Sequence, residues 1–185
     1  MRRGAAILLL GCLCAGAAAL AAGAADPGAF GTYRLSGRGR VNARPLPAQE
    51  QELHADAVLS AGAGPGEVRL HLVGEGLACD LSGTLAPDGA LDLAPGQRCA
   101  ADLRSEEVEG RVEAKLLSGS GRVRDESMSL ELAFALSGAV RVRSGGALDA
   151  LSSVLPVPGA GEPVPVRGEA RGRAEGRHDH SRAAD

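Results

Sequence analysis

The sequence is almost without aromatic side chains: its 185 residues include no Trp, one Tyr and two Phe. Only Tyr33 and Phe134 stand at positions that alternation assigns to a sheet interior. This shortage excludes an interior built on large rings. An interior of small residues, many of them Gly and Ala, leaves either a cavity or a narrow, filled core.

Lysine is nearly absent as well, with Lys115 as the only one. Together with the abundance of Ala and Gly, this indicates a GC-rich coding bias, so the arginine content alone is weak evidence for a function. The formal charge of −3 becomes −5 when Arg2 and Arg3 are removed with the predicted leader, which leaves 18 basic residues against 23 acidic ones. A nucleic-acid-binding domain usually has a net positive charge and a basic patch. No nucleic-acid partner is therefore expected.

No segment of residues 31–143 shows the periodicity of an amphipathic helix. Its apolar residues instead alternate with polar or small ones, most regularly from Met128 to Val142. A period of two places Leu130, Leu132 and Phe134 on one face of a β-strand and the polar residues on the other. One dry face and one wet face are typical of an antiparallel sheet.

The same alternation predicts strands at residues 33–42, 51–59, 68–73, 77–85, 91–93, 106–124, 128–142 and 164–176. The count is eight if 106–124 is one strand with a bulge, which the phase of Val123 requires, and if 164–176 is the last strand. The apolar phase also changes at residues 74–76, which predicts a tight turn or a bulge there. Residues 164–176 fit either a closing strand of weak apolar content or a solvated tail.

The domain organisation follows from these patterns. We expect a signal peptide at 1–25, an antiparallel β domain at 26–143, a short helix and linker at 144–163, a candidate closing strand at 164–176 and a disordered tail at 177–185. An even-numbered meander can close into a small barrel of about eight strands, which removes both sheet edges. A two-layer β-sandwich is the alternative.

The N-terminus predicts export. Arg2 and Arg3 precede an apolar run at residues 5–20, and small residues at 22–25 form a cleavage site, as in a secretory signal peptide. We expect a periplasmic or extracellular protein with no stable membrane span after cleavage. The alternative is a lipoprotein anchored through Cys12, because Leu9-Leu10-Gly11-Cys12 resembles a bacterial lipobox.

Cleavage would leave Cys79 and Cys99 as the two cysteines of the mature chain. A cysteine pair in an exported protein most often forms a disulfide. Closing a loop of about 20 residues stabilises the fold by roughly 3 kcal/mol on the chain-entropy model. No third ligand lies nearby in sequence and there is no Cys-x-x-Cys, so a structural disulfide is favoured over a metal or redox site.

Catalytic and cofactor motifs are lacking. The glycines at 62, 64 and 66 lie between two predicted strands, so they indicate a turn and not a phosphate-binding loop. Ser118 and Ser120 do not match Gly-x-Ser-x-Gly, and no His stands in a triad order. The sequence therefore predicts no enzyme, no catalytic residue and no cofactor.

Two groups of histidines could in principle bind metal. His54 and His71 face outward on neighbouring strands, and His178-Asp179-His180 lies in the predicted tail. Imidazoles on a wet face are more often solvated than ligating, so no metal site is predicted. The acidic face at Glu107, Glu109 and Glu113, with Glu106 beside it, is explained better by solvation than by glycosidase chemistry.

Several loose motifs resemble those of one family. Gly31-Thr32-Tyr33 opens the first strand, a phase change precedes Cys79 at residues 74–78, Gly96-Gln97-Arg98-Cys99 forms a loop, and Leu130-Glu131-Leu132 lies in the long strand. Together they resemble the bacterial lipocalin-like (calycin-like) barrels over about residues 30–143. The resemblance implies an up-and-down barrel that holds a small hydrophobic ligand. The absence of Trp excludes the Gly-x-Trp signature of true lipocalins.

Two hypotheses of function remain. The first is an exported, non-enzymatic barrel that binds a small apolar ligand in its interior, lined by Tyr33, Leu35, Leu70, Leu72, Leu130, Leu132, Phe134 and Leu136. The second is a structural or protein-interaction component of the cell envelope with a filled core. An interior cavity above about 300 Å³, the usual lower size of ligand pockets, would favour the first.

Overall fold

The computed structural model describes residues 27–44, 48–74, 76–104, 108–142 and 163–182. Within these ranges the chain forms nine strands and two short 3₁₀ turns, at Pro27–Ala29 and His180–Arg182. The strands are β1 Gly31–Arg44, β2 Gln49–Ala61, β3 Glu67–Gly74, β4 Leu77–Leu85, β5 Ala90–Leu93, β6 Arg98–Arg104, β7 Val108–Arg124, β8 Ser127–Val142 and β9 Pro163–His178.

The nine strands form one antiparallel sheet that closes on itself. Its backbone hydrogen bonds run in a ring through eight strands, because β5 and β6 share the place between β4 and β7. β5 pairs with β4 at residues 83–85, and β6 pairs with β4 at Leu77 and Ala78. The expected all-β, closed antiparallel architecture is confirmed.

The ring closes through β9, which pairs with β1 on one side and β8 on the other. From the sequence, residues 164–176 fit either a closing strand or a solvated tail. In the structure they belong to a strand, which runs from Pro163 to His178. Pro163 and Pro165 lie where β9 pairs with β8 alone, so their missing N–H groups interrupt no ladder with β1.

The expected disorder of residues 177–185 is wrong for residues 177–182. Arg177 and His178 end β9, and His180–Arg182 form a 3₁₀ turn. The His178 backbone N–H donates to the Glu126 carbonyl (2.7 Å), and the Asp179 N–H donates to the Thr32 carbonyl (2.7 Å). These bonds hold the chain against the β7–β8 turn and the start of β1, which composition alone could not reveal.

The predicted irregularities appear where the apolar phase changes. In β7 the pairing with β8 shifts between Leu116 and Ser118, so Leu117 is the extra residue of a bulge and its side chain is exposed. Between β3 and β4, Gly76 has a φ of +74°. The β7–β8 hairpin turns through Asp125 and Glu126, whose φ values are 49° and 60°. Two positive φ values in a two-residue loop are the mark of a type I′ turn.

The inward residues of these strands form one apolar core, and no polar or charged residue is buried in the described part of the chain. The hydroxyl of the buried Tyr33 has a hydrogen-bond partner, because it donates to the Ala29 carbonyl (2.7 Å). The predicted disulfide is confirmed: Cys79 of β4 and Cys99 of β6 are bonded, with their Cα atoms 4.7 Å apart.

Several predictions lie outside the described residues. They are the signal peptide at 1–25 with Cys12, the short helix and most of the linker at 144–163, Glu106 and Glu107, and residues 183–185. These remain predictions from the sequence.

Candidate functional site: an interior cavity with an outer groove

The interior contains a cavity of about 610 Å³. Its inward-facing lining is Leu35, Gly39, Val41, Leu53, Ala55, Leu72, Leu77, Ala101, Val112, Ala114, Leu130, Leu132, Phe134, Leu136, Ala170, Gly172 and Ala174. All of these residues are apolar or glycine, and Gln51, the cross-strand neighbour of Gly39, adds a polar side chain to the lining. A concave, mostly apolar space of this volume is typical of a small-molecule site, whose usual range is about 300–1,000 Å³.

Six of the eight residues predicted to line a ligand site do line this cavity. They are Leu35, Leu72, Leu130, Leu132, Phe134 and Leu136. Tyr33 and Leu70 do not: both are completely buried at one end of the ring, where side chains fill the interior.

We call that filled region the packed end. It consists of Tyr33, Ala57, Leu59, Val68, Leu70, Leu81, Leu85, Leu91 and Met128, each at most 3% exposed and none lining the cavity. Cross-strand pairs run through it, such as Tyr33 with Ala57 and Leu70 with Leu81. It lies towards the turns that join β2 to β3, β4 to β5 and β7 to β8.

One side of the cavity carries almost no side chains. We call Gly39, Ala170, Gly172 and Ala174 the small-residue wall, where β1 and β9 lie side by side. A Cβ atom on Gly39 would lie 3.0 Å from Leu53 Cδ1, and one on Gly172 would lie 2.7 Å from the same atom. Leu53 of β2 therefore lies over both glycines, and larger residues there would displace it.

The cavity opens at the side of the ring. Residues 49–54 of β2 pair with β1, but the pairing of β2 with β3 begins at Ala55 opposite Gly74. Beyond that point, the cavity is lined by residues from two facing edges. They are Gln51, Glu52 and His54 of β2 and, across from them, Gly76 and Asp102. Within the described residues these two strand edges are not hydrogen-bonded to each other, so the ring has a lateral mouth.

The charged side chains near this mouth are partly compensated. Arg111 Nε donates to Asp102 Oδ1 (3.0 Å). This hydrogen bond, together with the charge of Asp102, raises the pKa of the exposed Arg111 above its ordinary value, so the guanidinium stays charged. Glu52 lies 4.0 Å from His54 Nε2, across exposed side chains. Among the described residues, none with a charged side chain is buried.

The lining residues that the sequence did not single out are mainly small or partly exposed. Val41, Ala55, Leu77, Ala170 and Ala174 are partly buried and pack against the core. Each follows the alternation of its strand, so a prediction that extended the inward phase to Ala, and into β9, would have included them.

A second concavity lies on the outer face beside the small-residue wall. This arginine groove, of about 840 Å³, is lined by Arg38, Arg40, Glu50, Glu52, Ser118, Ser120, Glu131, Arg171 and Arg173, among others. Arg38 stands opposite Arg173 in the β1–β9 register, and Arg40 stands opposite Arg171. The sequence did not reveal this groove, because the paired arginines are more than 130 positions apart.

Of the histidines considered for metal binding, His54 and His71 are not brought together, whereas the rings of His178 and His180 lie 4.5 Å apart between centroids. His71 Nδ1 lies 2.7 Å from Asp80 Oδ1, whereas His54 faces Ser36 in the register, four positions along β2 from the residue opposite His71. In the ranges that the structure describes, no three His, Cys, Asp or Glu residues are placed to hold a metal ion.

His178, Asp179 and His180 serve local contacts. The His178 ring packs edge-on against Tyr33, with centroids 5.2 Å apart, and its Nε2 lies 3.3 Å from the Phe30 carbonyl. Asp179 forms an ion pair with Arg34 (2.8 Å), and His180 Nε2 lies 3.3 Å from Glu126 Oε2. These contacts fasten the end of β9 to the packed end.

Ser118 and Ser120 line the outer groove and not the cavity. Of the acidic face on β7, Glu113 pairs with Arg98 across to β6 (3.3 Å). Among the described residues, no helix has both the length and the apolar character that crossing a bilayer requires.

No family model and no curated protein matches this chain. Among solved structures, a Nitrosomonas europaea protein provisionally assigned as AttH matches with 10% identity and a TM-score of 0.29. The match covers 86% of this chain and 55% of the other, so this chain spans about half of that protein's length. A similarity this low carries no argument about fold or function.

Proposed function

We propose that this protein is an exported, non-enzymatic binding protein that takes up a small apolar ligand in its interior. The observation that carries the proposal is the apolar cavity of about 610 Å³ at the centre of the closed sheet. Its volume is about twice the 300 Å³ at which ligand pockets usually begin.

The exposure of the lining supports this proposal. Leu132, Leu77, Val41 and Ala174 are only partly buried although they face the interior. Apolar surface left in contact with water costs about 25 cal/mol per Å², so an apolar ligand that covers it gains that free energy. In a filled core, inward side chains are covered by their neighbours, as the side chains of the packed end are.

The alternative is a structural or interaction component of the cell envelope with no ligand. It accounts for the packed end but leaves the cavity without a role. The absence of catalytic motifs supports a non-enzymatic function, and export is supported by the predicted signal peptide and by the Cys79–Cys99 disulfide, a bond typical of oxidising compartments.

The test is a binding measurement with matched variants. Delipidated protein is titrated with a fluorescent fatty-acid analogue, and palmitate is then added to displace it. Ala170→Leu places three further carbons in the cavity beside Phe134 and Val41, its cross-strand neighbours. Each displaced methylene contributes about 0.8 kcal/mol, so affinity should fall about tenfold or more.

Ala78→Leu is the control, because Ala78 is exposed on the outer face of β4. It should leave the affinity unchanged. If the wild type shows no saturable binding, or if Ala170→Leu binds as tightly as Ala78→Leu, the cavity is not a ligand site and the envelope-component alternative is preferred.

A further inference from the structure

Like charges face each other repeatedly along the outer side of β1 and β9. Six outward positions of β1 pair with β9 from residue 34 to residue 44, and four of the six pairs are Arg with Arg: Arg34–Arg177, Arg38–Arg173, Arg40–Arg171 and Arg44–Arg167. Like charges directly opposite each other destabilise a sheet. A coding bias explains the number of arginines but not their alignment in the register.

Two of these pairs lie in the arginine groove. Arg38, Arg40, Arg171 and Arg173 form a square of four guanidinium-bearing positions on two neighbouring strands. Arg171 and Arg173 have exposed ion pairs with Glu169 (3.3 Å) and Glu175 (3.0 Å) on their own strand. Arg38 and Arg40 have no ion pair with any described residue.

Acidic residues line the groove too. Glu50 and Glu52 stand opposite Arg40 and Arg38 on β2, and Glu131 stands opposite Arg173 on β8. The carboxylates thus flank the four arginines on both sides, while the arginines occupy the centre. This arrangement suits a compact anion that contacts the centre, more than a long polyanion that would also run over the carboxylates.

The groove and the cavity adjoin each other at the small-residue wall. Gly39, Arg40, Arg171 and Gly172 line both. Gly39 and Gly172 are themselves cross-strand partners between the two arginine pairs. Because neither glycine has a side chain, only the backbone of two strands separates the apolar interior from the arginines there. Gln51 and Glu52 of the lateral mouth also line both the cavity and the groove.

The cavity volume limits the apolar part of a ligand. At about 30 Å³ for each water-sized group, a figure that also fits a methylene, about 610 Å³ accommodates roughly 20 such groups. That is enough for one acyl chain of palmitate length and not for two.

We infer that the ligand is a single-chain amphiphile with a phosphate headgroup, whose chain enters the cavity while its phosphate binds at Arg38, Arg40, Arg171 and Arg173. This inference rests on the proposed function. Arginine suits the phosphate because its planar guanidinium donates two parallel hydrogen bonds to phosphate oxygens.

The experiment compares two lipids that differ only by the phosphate. Palmitoyl lysophosphatidic acid and monopalmitoyl glycerol are each titrated, below their micelle concentrations, into the delipidated full-length mature protein. The wild type should bind the phosphate-bearing lipid about tenfold more tightly, as expected for charge-assisted hydrogen bonds in an exposed groove. Higher salt should narrow the difference, and inorganic phosphate alone should bind far more weakly than the lipid.

The variant Arg38→Gln/Arg40→Gln should remove most of that tenfold difference and leave the affinity for monopalmitoyl glycerol unchanged. Its melting temperature should stay close to that of the wild type, because two like-charge pairs with β9 and two opposite-charge pairs with Glu50 and Glu52 of β2 are removed together. Arg69→Gln, on the exposed face of β3, is the control and should keep the wild-type difference.

The outcomes separate the two proposals. If the wild type binds both lipids equally, the phosphate site is wrong while the apolar cavity site stands. If the double variant keeps the tenfold difference, the arginines do not bind the phosphate. If neither lipid binds, both proposals fail. If inorganic phosphate binds as tightly as the lipid, the groove is an anion site without a role for the acyl chain, and the amphiphile inference is overturned.

Discussion

The packed end and the cavity are built from the same strands, yet one is filled and the other is open. β1 contributes Tyr33 to the packed end and Gly39 to the cavity, and β8 contributes Met128 to one and Leu132 to the other. Closing the sheet does not by itself decide whether the interior is solid. The volume of the inward side chains at each level of the ring decides it.

The two regions differ in the size of their inward side chains. Along the cavity β9 presents Ala170, Gly172 and Ala174, whereas Tyr33, Leu70, Leu81 and Met128 of four other strands fill the packed end. Among the described residues, the pairing of β2 with β3 ends at Ala55 and Gly74, and the mouth opens beyond that point. Small residues and a missing ladder together make a cavity that can be reached from the side.

The strongest way to break this comparison is the same substitution in each region. Leu70→Ala removes a side chain that is 0% exposed and should lower the free energy of unfolding by about 2–5 kcal/mol. Leu53→Ala removes a partly exposed side chain and should cost about 1 kcal/mol. Urea denaturation of both variants measures the two losses.

Leu53→Ala should also change ligand affinity, because Leu53 covers the small-residue wall, and Leu70→Ala should not as long as the variant is folded. Equal losses of stability at the two positions would mean that the cavity is packed in solution, and the distinction between the regions would disappear.

The disulfide tests how far the two regions depend on each other. Cys79 lies beside Leu81 in the packed part of β4, and Cys99 lies two residues before the cavity-lining Ala101. Replacing both cysteines by Ala should cost roughly 3 kcal/mol, because the bond closes a loop with a sequence separation of 20. Thermal unfolding of the wild type under oxidising and reducing conditions provides the matched comparison.

Affinity for the fluorescent fatty-acid analogue should be retained by the double variant well below its melting temperature. Loss of binding while the circular dichroism spectrum is still native would show that the bond shapes the cavity, and not only the stability of the sheet.

Much of the fold follows from the sequence, because alternation reports directly which face of a strand is dry. The bulge at Leu117 was predictable from the phase of Val123, and the turn at Gly76 from the change of phase before Leu77. β9 was ambiguous because its inward residues are Gly and Ala, which a low-complexity tail also contains.

The site was less predictable, because alternation gives the face of a residue and not its height in the ring. Leu70 and Leu72 have the same inward phase, but the register places Leu70 opposite Leu81 in the packed end and Leu72 beside the cavity. The arginine groove depends on pairs such as Arg38 with Arg173, which only the closing of the ring aligns.

The smallest effects come from matched alanines, one in each region. Ala57 is 0% exposed between Tyr33 and Leu72, its cross-strand neighbours, so Ala57→Leu should overpack the interior and lower stability by about 1–3 kcal/mol. Ala174→Leu places the same atoms in the cavity and should raise stability by about 1 kcal/mol, as cavity-filling substitutions commonly do. The sign of the change in melting temperature of the delipidated variants is the readout.

Because bound ligand would itself stabilise the wild type, residual lipid would hide the gain, and adding palmitate should therefore raise the melting temperature of the wild type more than that of Ala174→Leu. A loss of stability in both variants would show that no free volume adjoins Ala174.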